Sequence, residues 1–363
     1  MIKDFQLELD SQPLNQQKFI TKLQIPLTFT PSAPDVYGSK EKLSIGSIGS
    51  QGCSREGAFT VQNSDLLLII GSKLNSLITG PDFKKFARDA YTIVVDIDKN
   101  EHKKKGVKID KLIISDAKIF LEKINKSNLK LKFKNWLNKC LHWKKTFQKK
   151  LPNSINSKRI DLYELSNIFS STIKKNSVLI CDSGYIDVIL PTNIKFGKNL
   201  NCLHPASQGS MGYVLPAIIG VSSSTKKNII AVVGDGSIMM NLQELQTIKN
   251  YNIPAKIFII NNNGYGIIRR RQKNLFRNRT IGTGIEDGIV CSNFKKISKS
   301  FNFKYIKINN KNNLKKKIAK KIKQKKPIIC EIDGLQNQNY IEISYAKKDN
   351  GKFVRRPIED QQP

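Results

Sequence analysis

The sequence predicts an α/β protein made of two doubly wound, mostly parallel sheets. Three observations carry this. Apolar runs of four to six residues recur along the chain, bounded by polar or glycine-containing turns, as expected of strands covered on both faces. Helix-length segments fall between those runs in steady alternation, which is the rhythm of a β-α-β sheet. The chain has 363 residues and 39% hydrophobic content, enough for two cores of ordinary size.

The first runs are Leu66 to Ile70 and Thr92 to Val95, with a helix predicted between them around Asp82 to Ala90. The series ends at Asp96-Ile97-Asp98 and defines a first domain over residues 1–125. A helix is also predicted at Gln16 to Leu23, leading straight into Ile25-Pro26-Leu27-Thr28, so the first strand of the domain is not evident. Residues 126–158 read as a helical linker, because lysines between Asn128 and Lys150 are interspersed with Phe133, Trp136, Leu137 and Leu141 at amphipathic spacing. A second domain follows over residues 159–345. Its strands are predicted at Val178 to Cys181, Ile229 to Val233, Lys256 to Ile260, Lys304 to Ile308 and Pro327 to Ile332. Its helices are predicted at Tyr213 to Val221, Asn241 to Asn250, Asn293 to Phe301 and Asn312 to Lys323. Residues 346–363 are polar and read as a tail.

Composition narrows the function classes. No apolar run has the length of a membrane span and the first 30 residues lack a signal-peptide core, so a cytoplasmic location without a membrane partner is expected. The six cysteines and three histidines are scattered, without the spacing of a zinc site, a disulfide framework or a catalytic triad. The net charge of +33 raises the question of nucleic-acid binding. The lysines are spread along the chain among many Ile and Asn residues and accompany no nucleic-acid-binding signature, so no specific nucleic acid is expected.

The chemistry is concentrated after two strands. Val233-Gly234-Asp235-Gly236-Ser237 follows one strand and precedes a helix, where glycines permit close approach of a ligand and free amides suit a diphosphate. Gly-Asp-Gly alone is also an ordinary turn sequence. The next strand ends in Asn261-Asn262-Asn263-Gly264-Tyr265-Gly266, at the carboxyl edge where open sheets bind ligands. Asp235 and Asn262 lie 27 positions apart with one helix and one strand between them, so both strand ends can converge on one hard cation.

The stretch from Gly234 to Gly266, with its GDG and NN ends, resembles the thiamine-diphosphate signature of the acetolactate-synthase-like enzymes. The resemblance implies that Asp235, the Asn262 side chain and the Gly264 carbonyl bind Mg2+, while Gly234, Gly236, Ser237, Tyr265, Gly266 and Ile267 border thiamine diphosphate. Ser207-Gln208-Gly209-Ser210-Met211-Gly212-Tyr213 is similar to the family's glycine-rich turn, which adds Gly209, Ser210 and Met211. Met211 would prop the bent cofactor, although it also fits as a core filler. Asp182-Ser183-Gly184-Tyr185 stands at another diphosphate loop and contributes Ser183 and Gly184, with Tyr185 where such synthases carry a glutamine.

By the same resemblance the first domain matches the family's central domain, which binds FAD in true acetolactate synthases. Ser72-Lys73-Leu74-Asn75 departs from the usual sequence there, so FAD stays an open expectation. This departure resembles synthase-like enzymes found with surface-polysaccharide genes, which use other substrates. Arg269, Arg270 and Arg271 stand where such synthases carry a tryptophan, and fit either an anion clamp or an exposed basic turn. The resemblance implies a pyrimidine-binding domain, with which family members usually begin and whose glutamate activates the cofactor; that domain is expected to be missing from this chain, so no catalytic side chain is assigned. The expected function is decarboxylation of a 2-keto acid with carboligation, as in branched-chain amino acid biosynthesis. The expected assembly is a homo-oligomer, or a hetero-oligomer with a chain that supplies the pyrimidine-binding domain. The alternative is a non-catalytic cofactor-binding or assembly subunit.

Overall fold

The computed structural model describes residues 2–5, 20–103, 106–127, 133–147, 157–206, 208–309, 311–342, 345–349 and 352–356. Parts of the helix predicted at Gln16 to Leu23, the lysine-rich stretch Asn128 to Lys150 and the polar tail, together with Ser207, lie outside these residues. The chain forms two compact units, residues 1–151 with 341–363, and residues 152–340. Among the described residues no helix is long and apolar enough to cross a membrane.

The first unit holds a four-stranded parallel sheet in the order β1 (Ile2–Phe5), β4 (Leu66–Ile70), β5 (Tyr91–Asp96), β6 (Lys111–Ile114), and a two-stranded sheet of β2 (Leu27–Phe29) and β3 (Ser44–Ser47). Leu68, Ile70 and Val95 face one core while Leu67, Ile69 and Val94 face another, so the central strands are buried on both sides. The first strand, not evident in the sequence, is β1, which pairs in parallel with β4 from Ile2 to Phe5. Its sequence, IKDF, is short and half charged, which suits an edge strand and hides it from a search for apolar runs.

The helices of this unit are α1 (Arg55–Gln62), α2 (Ser76–Thr79), α3 (Ala117–Lys126) and α4 (Lys134–Phe147). The helix predicted at Asp82 to Ala90 is corrected. Only a 3-10 turn, Phe83–Lys85, forms there, capped by the Asp82 side chain. The chain leaves helical geometry at Phe86, which is extended, and turns at Ala87, whose φ is +48°, so that Phe86, Ala87 and Ala90 enter the core individually. The lysine-rich helix α4 packs Leu137 and Cys140 with Leu27 and Ile45 of its own unit, and Phe147 lies 4.8 Å from the Phe59 ring. Within the polar tail, β13 (Tyr345–Asp349) and β14 (Lys352–Arg356) form an antiparallel hairpin.

The second unit is a six-stranded, fully parallel sheet in the order β11 (Lys304–Ile308), β12 (Ile328–Asp333), β10 (Lys256–Asn261), β9 (Asn228–Gly234), β7 (Ser177–Cys181), β8 (Leu200–Leu203). The strands predicted from apolar runs are all present, and together with the helices between them they give the α/β class. Helices α5 (Leu162–Thr172), α6 (Tyr185–Asn193), α7 (Val214–Ser224), α8 (Glu244–Asn250), α9 (Gly266–Leu275), α10 (Phe294–Ser300) and α11 (Leu314–Ile322) complete it. One face packs Val178, Ile180, Ala231, Val233, Ile257 and Ile259. On the other, Phe258 meets Phe169 edge-on at 5.5 Å. The chain winds outward from β7 to β8, then returns to the far side of β7 as β9. That reversal opens a crevice beyond the carboxyl ends of β7 and β9, the place where such sheets bind ligands.

Candidate functional site

Two aspartates stand at this switch point. Asp182 follows β7 and Asp235 follows β9, both buried. A buried carboxylate requires hydrogen-bond donors, and each finds them in backbone amides. Asp182 accepts from Ser183 N at 2.9 Å, Gly212 N at 3.1 Å and Val214 N at 2.9 Å. It thereby ties the turn carrying Met211 to the end of β7. Burial raises its carboxyl above the ordinary value, against the pull of the Val214, Ser183 and Gly212 amides and the Ser237 hydroxyl. Asp182 was not singled out from the sequence. Its signal was there, an acidic residue ending an apolar strand beside a Ser-Gly turn.

Asp235 accepts from Gly236 N at 2.9 Å and from Gly264 N at 3.2 Å, which joins the β9 end to the loop after β10. Burial pushes its carboxyl up to about 6, with the Gly236, Gly264 and Asn263 amides pulling the other way. Cys291 Sγ lies 3.9 Å from Asp235 Oδ2, and burial followed by the nearby Asp235 charge raises that thiol.

The loop after β10 presents oxygen atoms. The Asn262 amide oxygen lies 2.9 Å from the Gly264 carbonyl oxygen and 3.1 Å from Asp235 Oδ1. An amide oxygen that faces two other acceptors is repelled by both. Either the amide turns to donate to both neighbours, or a cation sits among three oxygens. In both cases Asp235, Asn262 and Gly264 converge on one point. Only a glycine fits at 264, since φ is +150° and a side chain would run into the Thr283 carbonyl.

A cleft with about 600 Å³ of empty space opens over these groups. Of the residues expected at the site, Ser183, Gly184, Met211, Gly234, Asp235, Gly236, Ser237, Asn262, Gly264, Tyr265, Gly266 and Ile267 line it. Gly209 and Ser210 are exposed on the turn before Met211 and are not among its lining residues. Leu162, Tyr185, Ile186, Ile260, Ile268, Leu335 and Gln338 also line the cleft and were not expected there.

Residues 182–332 match the family described as "Thiamine pyrophosphate enzyme, C-terminal TPP binding domain", and residues 15–124 match "Thiamine pyrophosphate enzyme, central domain". The chain belongs to the thiamine pyrophosphate enzymes. Within that family it is 30% identical to the acetolactate synthase large subunit of Cyanidium caldarium, over 92% of this chain and 57% of the relative. It is 26% identical to that of Porphyra purpurea, over 93% of this chain and 57% of the relative. A probable acetolactate synthase large subunit of Methanocaldococcus jannaschii is 28% identical over 85% of this chain and 53% of the relative. The chain thus spans little more than half the length of these relatives.

Two tyrosines pack on the glycines of this thiamine pyrophosphate domain. The Tyr265 ring covers Gly236 so closely that a side chain at 236 would strike it. Tyr185 lies against Gly266 and donates its hydroxyl to the Gly266 carbonyl at 2.9 Å, which joins the start of α6 to the start of α9.

The three arginines diverge in role. Arg269 is buried and paired with Glu286, so its guanidinium is committed within the protein. Arg270 stacks over the Tyr340 ring at 4.5 Å, and Arg271 is exposed. Glu286 belongs to a segment that folds back over the loop after β10. Tyr265 N donates to the Thr283 carbonyl at 2.9 Å, and Asp287 accepts from Thr283 N at 2.7 Å and from the Thr283 hydroxyl at 2.9 Å.

Proposed function

We propose that the cleft holds thiamine diphosphate through Mg2+, and that the chain takes part in decarboxylating a 2-keto acid with carboligation, in line with the acetolactate synthase names of its relatives. The observation that carries this reading is the convergence of the Asp235 carboxylate, the Asn262 amide and the Gly264 carbonyl beneath the cleft of a thiamine pyrophosphate domain. Neighbouring ligands of an ion with Mg–O distances of ~2.0–2.1 Å sit ~2.9–3.0 Å apart. With the Asn262 amide oxygen turned to the ion, its separations of 2.9 and 3.1 Å from the Gly264 carbonyl and Asp235 Oδ1 fit that spacing. One carboxylate, one amide and one carbonyl form a hard donor set that leaves positions for phosphate oxygens and water.

In this reading Asp235, the Asn262 side chain and the Gly264 carbonyl ligate the ion. Ser183, Gly184, Gly234, Gly236, Ser237, Tyr265, Gly266 and Ile267 border the cofactor, with Gly209 and Ser210 on the turn that carries Met211. When bound, thiamine diphosphate supplies the nucleophilic carbon and electron sink that a 2-keto acid needs to lose CO2. The chain contributes binding and exclusion of water. Leu162, Ile186, Ile268 and Leu335 make an apolar lining in which departure of a charged carboxylate is favoured.

Among the described residues Asp235 is the one carboxylate lining the cleft, and it is assigned to the ion. The carboxylate that assists proton transfer is therefore assigned to a pyrimidine-binding domain outside these residues, on the same or another polypeptide. The test is CO2 release by the complex purified with this chain from its native cells. Release from pyruvate that depends on thiamine diphosphate and Mg2+, and that Asp235→Ala abolishes, is the expected result. A complex that turns over neither pyruvate nor any other 2-keto acid contradicts the reading.

A further inference from the structure

We infer that Glu331 is a positioning residue for the cation site, acting through the Asn261 amide on the loop that presents Asn262 and Gly264. The inference rests on the cofactor reading of the cleft and adds to it a residue that lines no part of that cleft.

Glu331 lies in β12, paired with Ile259 of β10 on one side and Lys307 of β11 on the other. Its side chain is only 6% exposed, on the sheet face that also carries Ile329, Ile257 and Ile259. A carboxylate among apolar neighbours is costly to keep unless its oxygens are bonded. Three donors serve it. The Tyr305 hydroxyl donates to Oε2 at 2.6 Å, Lys307 Nζ lies 3.3 Å from Oε1, and Asn261 Nδ2 donates to Oε1 at 3.0 Å. Lys307 is steadied in turn by Asp333 at 3.1 Å.

The third donor gives the arrangement its purpose. Asn261 closes β10, and its amide oxygen accepts from Asn263 N at 3.2 Å. A carboxylate offers only acceptor oxygens, so Glu331 decides which way the Asn261 amide faces. Turned over, that amide would set oxygen against oxygen at Glu331 and nitrogen against the Asn263 N–H. Asn263 has a left-handed φ of +59°, a conformation that needs local support in a residue with a side chain. It stands between Asn262 and Gly264, two of the three oxygen donors. A continuous run of hydrogen bonds therefore leads from Tyr305 and Lys307 through Glu331 and Asn261 to the root of the metal-facing loop.

Groups that orient metal ligands from behind typically account for ~10–100-fold in metal affinity. The test is retention of Mn2+ by the full chain in excess thiamine diphosphate, read by electron paramagnetic resonance, with the thermal midpoint of each variant recorded alongside. Glu331→Leu, close in volume and unable to accept, is expected to weaken Mn2+ binding by ~10–100-fold. Glu331→Gln, which can still offer one oxygen to Asn261, is expected to recover most of the loss. The double variant Asn261→Ala with Glu331→Leu is expected to bind no more weakly than Asn261→Ala alone, since both act through one contact.

A folded Glu331→Leu with unchanged Mn2+ affinity, or losses that add in the double variant, would overturn the inference. If Glu331→Leu fails to fold, Tyr305→Phe decides. It removes one hydrogen bond to Glu331 and should weaken Mn2+ ~2–10-fold, and unchanged affinity overturns the inference. Asp235→Ala separates the two levels of the account. If it loses Mn2+ while the Glu331 and Tyr305 variants do not, this inference alone falls. If Asp235→Ala retains Mn2+ as the unaltered chain does, or neither binds it, the cofactor reading falls and this inference with it.

Discussion

Asp182 and Asp235 end neighbouring strands and are both buried, yet their oxygens point to different tasks. Those of Asp182 are taken up by Ser183, Gly212 and Val214 amides, so its work is to hold the Met211 turn in place. Replacing it with alanine strands buried N–H groups, each costing ~1–3 kcal/mol. Asp182→Ala is therefore expected to lower stability by a few kcal/mol in urea denaturation, and Asp182→Asn by less, because the amide keeps one acceptor. Gly264→Ala, which pushes a methyl group towards the Thr283 carbonyl, is expected to abolish cation binding while leaving the far-ultraviolet circular dichroism unchanged. The glycines, Asp235 and Asn262 were legible in the sequence because their spacing and residue types are tied to one chemistry. Asp182 was not, because an acidic residue just after a strand reads equally as a turn, nor was Glu331, because an acidic residue within a strand reads equally as part of an exposed face. Only the pairing of β10 with β12 brings Glu331 to Asn261.

At the scale of elements, burial decided what could be read. The strands β4, β5, β7, β9, β10 and β12 were legible as apolar runs, and the edge strand β11, KYIKI, as an alternation of apolar and charged residues. The edge strands β1, β6 and β8 were not, for IKDF and LNCL mix polar and apolar residues and KLII is short and largely exposed. Helix α6 carries Pro191 and apolar residues on most sides, and α9 is polar and basic just beyond Ile268, so neither displays a clear apolar stripe. Phe258, fully buried at the centre of β10, tests the core. Phe258→Ala is expected to cost ~3–5 kcal/mol in denaturation. The clasp from Thr283 to Asp287 makes a pH-dependent prediction. Desolvation raises the Asp287 carboxyl, but the Gly284 amide, the Thr280 hydroxyl and the Thr283 amide and hydroxyl outweigh it and bring it down to about 2. A lowered carboxyl stabilises the clasp fully above the ordinary carboxylate range and loses that contribution as pH falls through the folded value. Hydrogen exchange at the Tyr265 amide, bonded to Thr283, is expected to gain on that of the neighbouring strand amides as pH drops from ~4 towards 2. Asp287→Asn should show the same loosening at neutral pH.

At the scale of the whole molecule, two parallel-sheet units carry a thiamine pyrophosphate central domain and cofactor-binding domain, and they span about 57% of the Cyanidium relative. If the proton-transfer carboxylate comes from elsewhere, the 363-residue chain alone should turn over a 2-keto acid ~10²–10⁴-fold more slowly than the complete assembly, while still holding the cofactor. Steady-state CO2 release with and without the partner domain measures this. Titration calorimetry of thiamine diphosphate into the chain reads out whether Asp235, Asn262 and Gly264 hold it through a divalent ion. Binding that appears with Mg2+, disappears in chelator and is lost in Asp235→Ala is the predicted result. Binding of equal strength with and without Mg2+, or in Asp235→Ala, would contradict it.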